Sequence, residues 1–166
     1  ALGVTDIHFL GYKDGDLQLS QDLRRDISRV IRQVKPQRVL IQSPERNWNR
    51  IYSAHPDHLA AGEAAIFAVY PDARNPFAHP SLLHDEGLEA WSVGEVWVMG
   101  APEVNHYEDV TEFIEHKLDA LVAHHSQTSH MEDLRGRVTT WMSASALEAG
   151  FGPEVYAESF RVVNTA

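Results

Sequence analysis

The stretch from Ser20 to Gln42 constrains the fold more than any other part of the chain. Leu23, Ile27, Val30, Ile31 and Val34 recur at i, i+4, i+7, i+8 and i+11, which is one apolar stripe on an α-helix. Ser20 can accept an orphan N–H of the first turn, Asp22 complements the helix dipole, and Pro36 stops the helix. Arg38–Gln42 (RVLIQ) follows as a short strand with an apolar centre, suited to burial in a parallel sheet. Residues 5–10 (TDIHFL) alternate, are rich in β-formers and end at Gly11, so a strand is predicted before the helix. Strand, amphipathic helix and strand within about forty residues make a βαβ unit, with parallel strands and a helix packed on them.

The remainder continues that pattern. Residues 59–70 read as an Ala-rich helix stopped by Pro71, and residues 71–91 as a long irregular connection of the kind that carries or covers a site. Residues 93–99 form the next strand. Asp109 opens a helix with Glu112 placed as a capping-box partner, and Phe113, Ile114, Leu118, Leu121 and Val122 are its predicted buried face. A helix over residues 131–149 and a strand over 155–162 complete the order. The expected fold is α/β: one three-layer α-β-α, Rossmann-like domain over residues 1–166 with a mainly parallel sheet. Ala1-Leu2-Gly3-Val4 reads as the end of a helix entering a strand, with Gly3 at the C-cap, so the chain is expected to begin inside its domain.

Composition narrows the chemistry. The chain has no cysteine, which removes disulfides, thiolate nucleophiles and Cys-type zinc sites together. Any metal must be held by His, Asp or Glu. With 14 Lys+Arg against 24 Asp+Glu, the net charge of −10 repels phosphate backbones, and no nucleic-acid partner is expected. No apolar run approaches the roughly 18 residues of a membrane span, and no basic, then apolar leader opens the sequence. A cytoplasmic protein without a membrane span is the expectation.

The strongest chemical signal is His55-Pro56-Asp57-His58, followed by Gly62. With His55 as N-cap, Pro56 falls at the first helical position, where its missing N–H costs nothing. Asp57 sits at the positive end of the dipole. Both imidazoles then lie at a strand–loop–helix junction, where open α/β sheets bind ligands. Gly62, one turn beyond His58, would let another backbone approach closely. A neutral imidazole can ligate zinc, while a second one beside a carboxylate can serve as acid or oxyanion donor. Taken by itself, HPDH is also compatible with a surface turn that caps a helix, the weaker of the two readings.

HPDH-x-x-x-G resembles the second motif of the LmbE-like (PIG-L) zinc-dependent N-deacetylases. Residues 1–15 (ALGVTDIHFLGYKDG) look like the family's strand and Asp-Gly loop. Asp109-Val110-Thr111, Lys117 and His124-His125-Ser126-Gln127 resemble its later D-V-T … K … H-x-S-Q segment, and residues 157–161 (AESFR) its closing strand. The resemblance implies that His58 is a zinc ligand facing a cleft, that His55 assists the tetrahedral intermediate, and that Asp57 is the carboxylate modulating it. It places Asp14 near substrate hydroxyls. It also implies an N-acetylated sugar as substrate, a metal-activated water as nucleophile and, by analogy, a homo-oligomer.

One departure is large. The family's first motif, A-H-P-D-D-E, supplies another His, an Asp ligand and the general base, and it occurs nowhere in the 166 residues. The nearest string, Ala78-His79-Pro80-Ser81, lacks both carboxylates. The expectation is a domain lacking its N-terminal strand–helix portion, with the remaining Zn²⁺ ligands upstream and little activity from this polypeptide alone. Two alternatives stand beside deacetylation of a GlcNAc conjugate: an incomplete, non-catalytic homologue that binds a sugar or a partner, and an amidase acting on a thiol–sugar conjugate.

Other polar residues carry weaker signals. Trp48 could stack on a sugar ring or pack its own loop. Arg46 and Arg50 could meet an anionic group or solvate the loop. His124, His125 and His130 read as a polar helix end rather than a metal cluster, and His79 and His84 as surface histidines of the 71–91 connection.

Overall fold

Ser20 Oγ accepts the Leu23 N–H at 3.1 Å and opens α1 (Gln21–Val34). Lys35, in the left-handed region at φ 54°, closes that helix by donating its N–H to Ile31 O before Pro36. The computed structural model describes residues 2–166, so the reading that began at Ala1 lies partly outside the described residues. After α1 come β1 (Arg38–Gln42), α2 (Pro56–Phe67), α3 (Pro80–His84), β2 (Glu95–Met99) and β3 (His106–Asp109). Then follow α4 (Ile114–Val122), α5 (His125–Thr128), α6 (Leu134–Glu148) and β4 (Ala157–Asn164).

The described residues form two compact units. The larger comprises His8–Asn105 with Phe160–Ala166, and the smaller residues 2–7 with His106–Ser159. In the larger unit β1 pairs parallel with β2, setting Val39 opposite Val96 and Ile41 opposite Val98. β2 pairs antiparallel with β4, from Glu95 opposite Asn164 to Met99 opposite Phe160. The strand order is β1-β2-β4-β3, with β4 contributing residues to both units. The architecture is α/β as expected, and the sheet is mixed, because the last strand enters antiparallel.

Register decides where the core sits. Val39, Ile41, Val96 and Val98 share one face of the sheet, and that face packs with Ile31 of α1 and with Ala68, Val69 and Ala73 beyond α2. Burying each larger aliphatic side chain contributes about 1.5–3 kcal/mol. In the smaller unit Ile114, Leu118 and Met142 form a second cluster joining α4 to α6.

Three sequence expectations need correction. Residues 5–10 form no regular strand; Ile7 and Phe9 are exposed, and no ladder partner pairs with them among the described residues. The helix expected from Asp109 begins instead at Ile114, after a 3₁₀ turn over Thr111–Phe113. Asp109 Oδ1 accepts both the Thr111 N–H (2.9 Å) and the Thr111 hydroxyl (2.6 Å), an Asx turn that holds the backbone out of the helix. Those bonds also hold the Asp109 carboxyl below its usual pKa. The delayed start rotates the helix, leaving Phe113 and Val122 more than half exposed and only Ile114 and Leu118 buried from the expected face.

Arg32 is a buried cation that the apolar stripe conceals. It is 1% exposed and donates to the carbonyls of Asp72, Ala73, Asn75 and Ala78 at 2.9–3.2 Å. One guanidinium thereby orders the start of the irregular 71–91 connection, satisfying carbonyls that no helix or strand uses.

Candidate functional site

The carbonyl end of β1 runs through Ser43, whose N–H donates to Met99 O at 3.0 Å, into a 3₁₀ turn over Trp48–Ser53 and then into α2. His55 is the α2 N-cap and Pro56 its first residue, as the motif implies. The cap is the imidazole itself: Nδ1 accepts the Asp57 N–H at 3.2 Å. A backbone N–H can only donate, so Nδ1 is unprotonated in this geometry, and the neutral ring carries its proton on Nε2. His58 lies one turn along the helix. Its ring is 5.4 Å from that of His55, with the planes 52° apart. Both rings are exposed, and His58 makes no side-chain hydrogen bond among the described residues.

Gly62 explains how closely this helix approaches the strand. A Cβ there would lie 2.3 Å from Gln42 O, 2.9 Å from Pro44 N and 3.0 Å from Ser43 C, all backbone atoms. The expected close approach is therefore present, and it is the end of β1 that comes near.

The Asp57 carboxylate reaches the loop that carries Asp14. Its Oδ2 accepts the Gly15 N–H at 2.6 Å and its Oδ1 the Leu17 N–H at 3.3 Å. Gly15, at φ 80°, occupies the left-handed corner of the Asp14-Gly15 turn. That segment has a second attachment, because Tyr12 Oη donates to Asp26 Oδ2 on α1 at 2.9 Å. Burial and the Asp26 bond together push Tyr12 up to about 12.

Trp48 and Tyr52 are 80% and 76% exposed on the 3₁₀ turn that leads into His55. The Arg46 guanidinium lies 5.7 Å from the centroid of Trp48, and that of Arg50 5.6 Å from Tyr52, whose hydroxyl also receives the Arg50 Nε–H. Large exposed aromatic faces of this kind mark interaction surfaces. His55, His58 and Asp57 are thus brought together, Asp57 brings in the Asp14 turn, and Trp48 and Arg50 stand on the adjoining turn.

Neither of two cavities of about 600 Å³ is lined by His55 or His58. One lies in the smaller unit against α4, between Phe113, Leu121, His116, Lys117 and Glu158; the other is bounded by Gln37, Arg38, Gly94 and Glu95. Among the described residues no three His, Asp or Glu side chains gather closely enough to hold a metal ion. His58 fits as one zinc ligand, since its imidazole is accessible and uncommitted. The Asp57 oxygens are both occupied by the loop.

His79 has a structural partner that its sequence position hid. Its Nε2 lies 3.1 Å from Asp72 Oδ2, and Arg24 donates to both oxygens of the same carboxylate at 2.7 and 2.9 Å. Burial works to raise the Asp72 pKa, but the bonds from Arg24 and His79 outweigh it and hold the carboxyl below its usual range. His124 precedes and His125 opens the short exposed α5, just past the end of α4.

Residues 1–69 match the PIG-L family model, described as GlcNAc-PI de-N-acetylase. The chain is 34% identical over 143 residues to the "Probable N-acetyl-alpha-D-glucosaminyl L-malate deacetylase 2" of Bacillus cereus, a match covering 83% of this chain and 58% of that protein. It is 33% identical over 167 residues to the diacetylchitobiose deacetylase of Thermococcus kodakarensis, covering 98% of this chain and 58% of that protein. The solved N,N'-diacetylchitobiose deacetylase from Pyrococcus horikoshii superposes with a TM-score of 0.84 at 27% identity, covering 98% of this chain and 59% of that one. The chain belongs to the LmbE-like (PIG-L) family. It spans rather more than half the length of these relatives. No helix among the described residues is long and apolar enough to cross a membrane.

Proposed function

We propose that the full-length protein is a zinc-dependent deacetylase that hydrolyses the acetamide of an N-acetylglucosamine conjugate, releasing acetate and the free amine. The observation that carries this reading is the pair at the start of α2: an accessible, uncommitted imidazole at His58, beside a His55 whose Nε2 bears a proton. His58 would hold the ion as one of several ligands; no cluster of three such side chains gathers among the described residues. When bound, zinc supplies an activated water and polarises the amide carbonyl. His55 Nε2–H donates to the oxygen on which negative charge develops, a role open to the neutral ring with no carboxylate partner. Trp48 offers an apolar face to the sugar ring, and Asp14 and Arg50 offer polar contacts beside it. The relatives named for deacetylation of GlcNAc-malate and diacetylchitobiose support the substrate class.

The test is release of acetate and of a primary amine from N-acetylglucosaminyl conjugates by the metal-loaded, full-length protein. Stoichiometric release of both, abolished by chelation and restored by zinc, is the expected result. Sugar binding without turnover would favour the non-catalytic alternative.

A further inference from the structure

We propose that residues 46–53, which lead into α2, set specificity for the group attached to the sugar: Arg46, with Arg50 on the following turn, favours N-acetylglucosaminyl conjugates whose aglycone carries a carboxylate or a phosphate over neutral ones. The inference deepens the deacetylase reading and rests on it for the sugar, while the anion preference rests on geometry and charge.

Arg46 is conspicuous for what it does not hold. Arg24, Arg25, Arg29, Arg38, Arg135 and Arg161 each pair with a carboxylate. Arg46 holds none among the described residues, in a chain whose acids outnumber its bases by ten, and lies over the exposed Trp48 ring instead. A guanidinium placed over a ring keeps its N–H fork for a carboxylate or phosphate, which accepts two parallel bonds. Arg50 and Tyr52 repeat the pattern four residues on. The backbone beneath them is ordered by its own bonds. Ser43 Oγ accepts the Glu45 N–H at 3.1 Å, Asn47 Oδ1 the Asn49 N–H at 3.1 Å, and Ser53 Oγ donates to Arg50 O at 2.7 Å. Such a segment is organised before any ligand arrives, which lowers the cost of binding one. Its reach is short. Six residues of 3₁₀ turn rise at most about 12 Å, and a kink at Arg50 (φ −140°, ψ 62°) shortens the span from Trp48 to Ser53. Buried Ala54 then fixes the step to His55. A sugar stacked on Trp48 with its acetamide at the start of α2 would therefore hold its aglycone near the two guanidiniums.

The experiment uses three probes that share the sugar: the carboxymethyl glycoside of N-acetylglucosamine, its neutral methyl ester, and N-acetylglucosamine 1-phosphate. Binding to metal-free, full-length wild type, Arg46→Gln, Arg46→Lys and Arg50→Gln is measured by calorimetry, with Tm as the folding control. One charge-assisted contact at an exposed site predicts that wild type binds the acid roughly tenfold more tightly than the ester. That ratio should fall towards one in Arg46→Gln and at high salt, and Arg46→Lys, which keeps the charge and loses the fork, should retain only part of it. Whichever of the acid and the 1-phosphate binds more tightly names the aglycone class. In zinc-loaded protein the same ratio should appear in KM, with kcat alike for acid and ester. The proposal is overturned if neither anionic probe binds wild type better than the ester, or if the preference survives undiminished in both Gln variants. If zinc-loaded wild type turns over none of the probes, the deacetylase reading fails while the metal-free ratio still decides the anion preference.

Discussion

Gly62→Ala is the smallest change that should damage both stability and chemistry. The added methyl would sit 2.3 Å from Gln42 O, and restoring an ordinary contact of 3.4 Å requires a shift of 1.1 Å between α2 and the end of β1. Two terms oppose each other. Alanine improves helix propensity by about 1 kcal/mol. Overpacking costs about 1–3 kcal/mol, and an overlap of this depth with main-chain atoms on a buried helix face belongs at or above the upper end. The net expectation is a loss of about 2 kcal/mol, or roughly 4–8 °C in Tm for a chain of this size. Because His58 lies one turn before Gly62, a 1 Å displacement should also lower turnover by about a hundredfold. Thermal and urea unfolding of the full-length protein measure the first effect, and kcat/KM the second. Gly152→Ala is the control, since nothing lies within 4 Å of its added methyl. A Gly62→Ala protein as stable and as active as Gly152→Ala would refute the close-approach reasoning.

Asp72→Asn should destabilise the protein by about 3 kcal/mol, because it leaves Arg24 without its carboxylate in a site where Asp72 is only 4% exposed. The wild-type pH dependence follows from the same group. Its folded pKa is depressed, so its contribution is fully present above the usual aspartate pKa of about 4 and disappears as pH falls below it. Acid unfolding curves should therefore converge for wild type and variant at low pH; parallel curves would exclude Asp72 as the cause. Trp48→Ala, at a site 80% exposed, should leave Tm within a degree or two and raise KM about tenfold, the equivalent of one stacked aromatic face. An unchanged KM would make Trp48 a loop residue only.

Local signals in the sequence translated well. The α1 boundaries followed from Ser20 and Pro36, the α2 start from the His-Pro pair, and the Gly62 approach from its position one turn past His58. What failed or went unseen was non-local. Residues 5–10 have strand character, but a strand exists only through a ladder partner, and alternation carries no information about one. No pattern in the sequence marks Arg32 as buried, because burial of a cation is set here by carbonyls forty or more residues away. The link from Asp57 to Gly15, across 42 residues, has no periodicity that would reveal it. The motif identified which residues meet, and only the coordinates gave each atom its partner.

Zinc content of the full-length protein and of His58→Ala, measured by elemental analysis after exhaustive dialysis, bears most directly on the central claim. About one zinc per chain in the wild type, with most of it lost in His58→Ala while the helical circular dichroism signal is retained, is the predicted result. A His58→Ala protein that keeps its zinc and its deacetylase turnover would contradict the account.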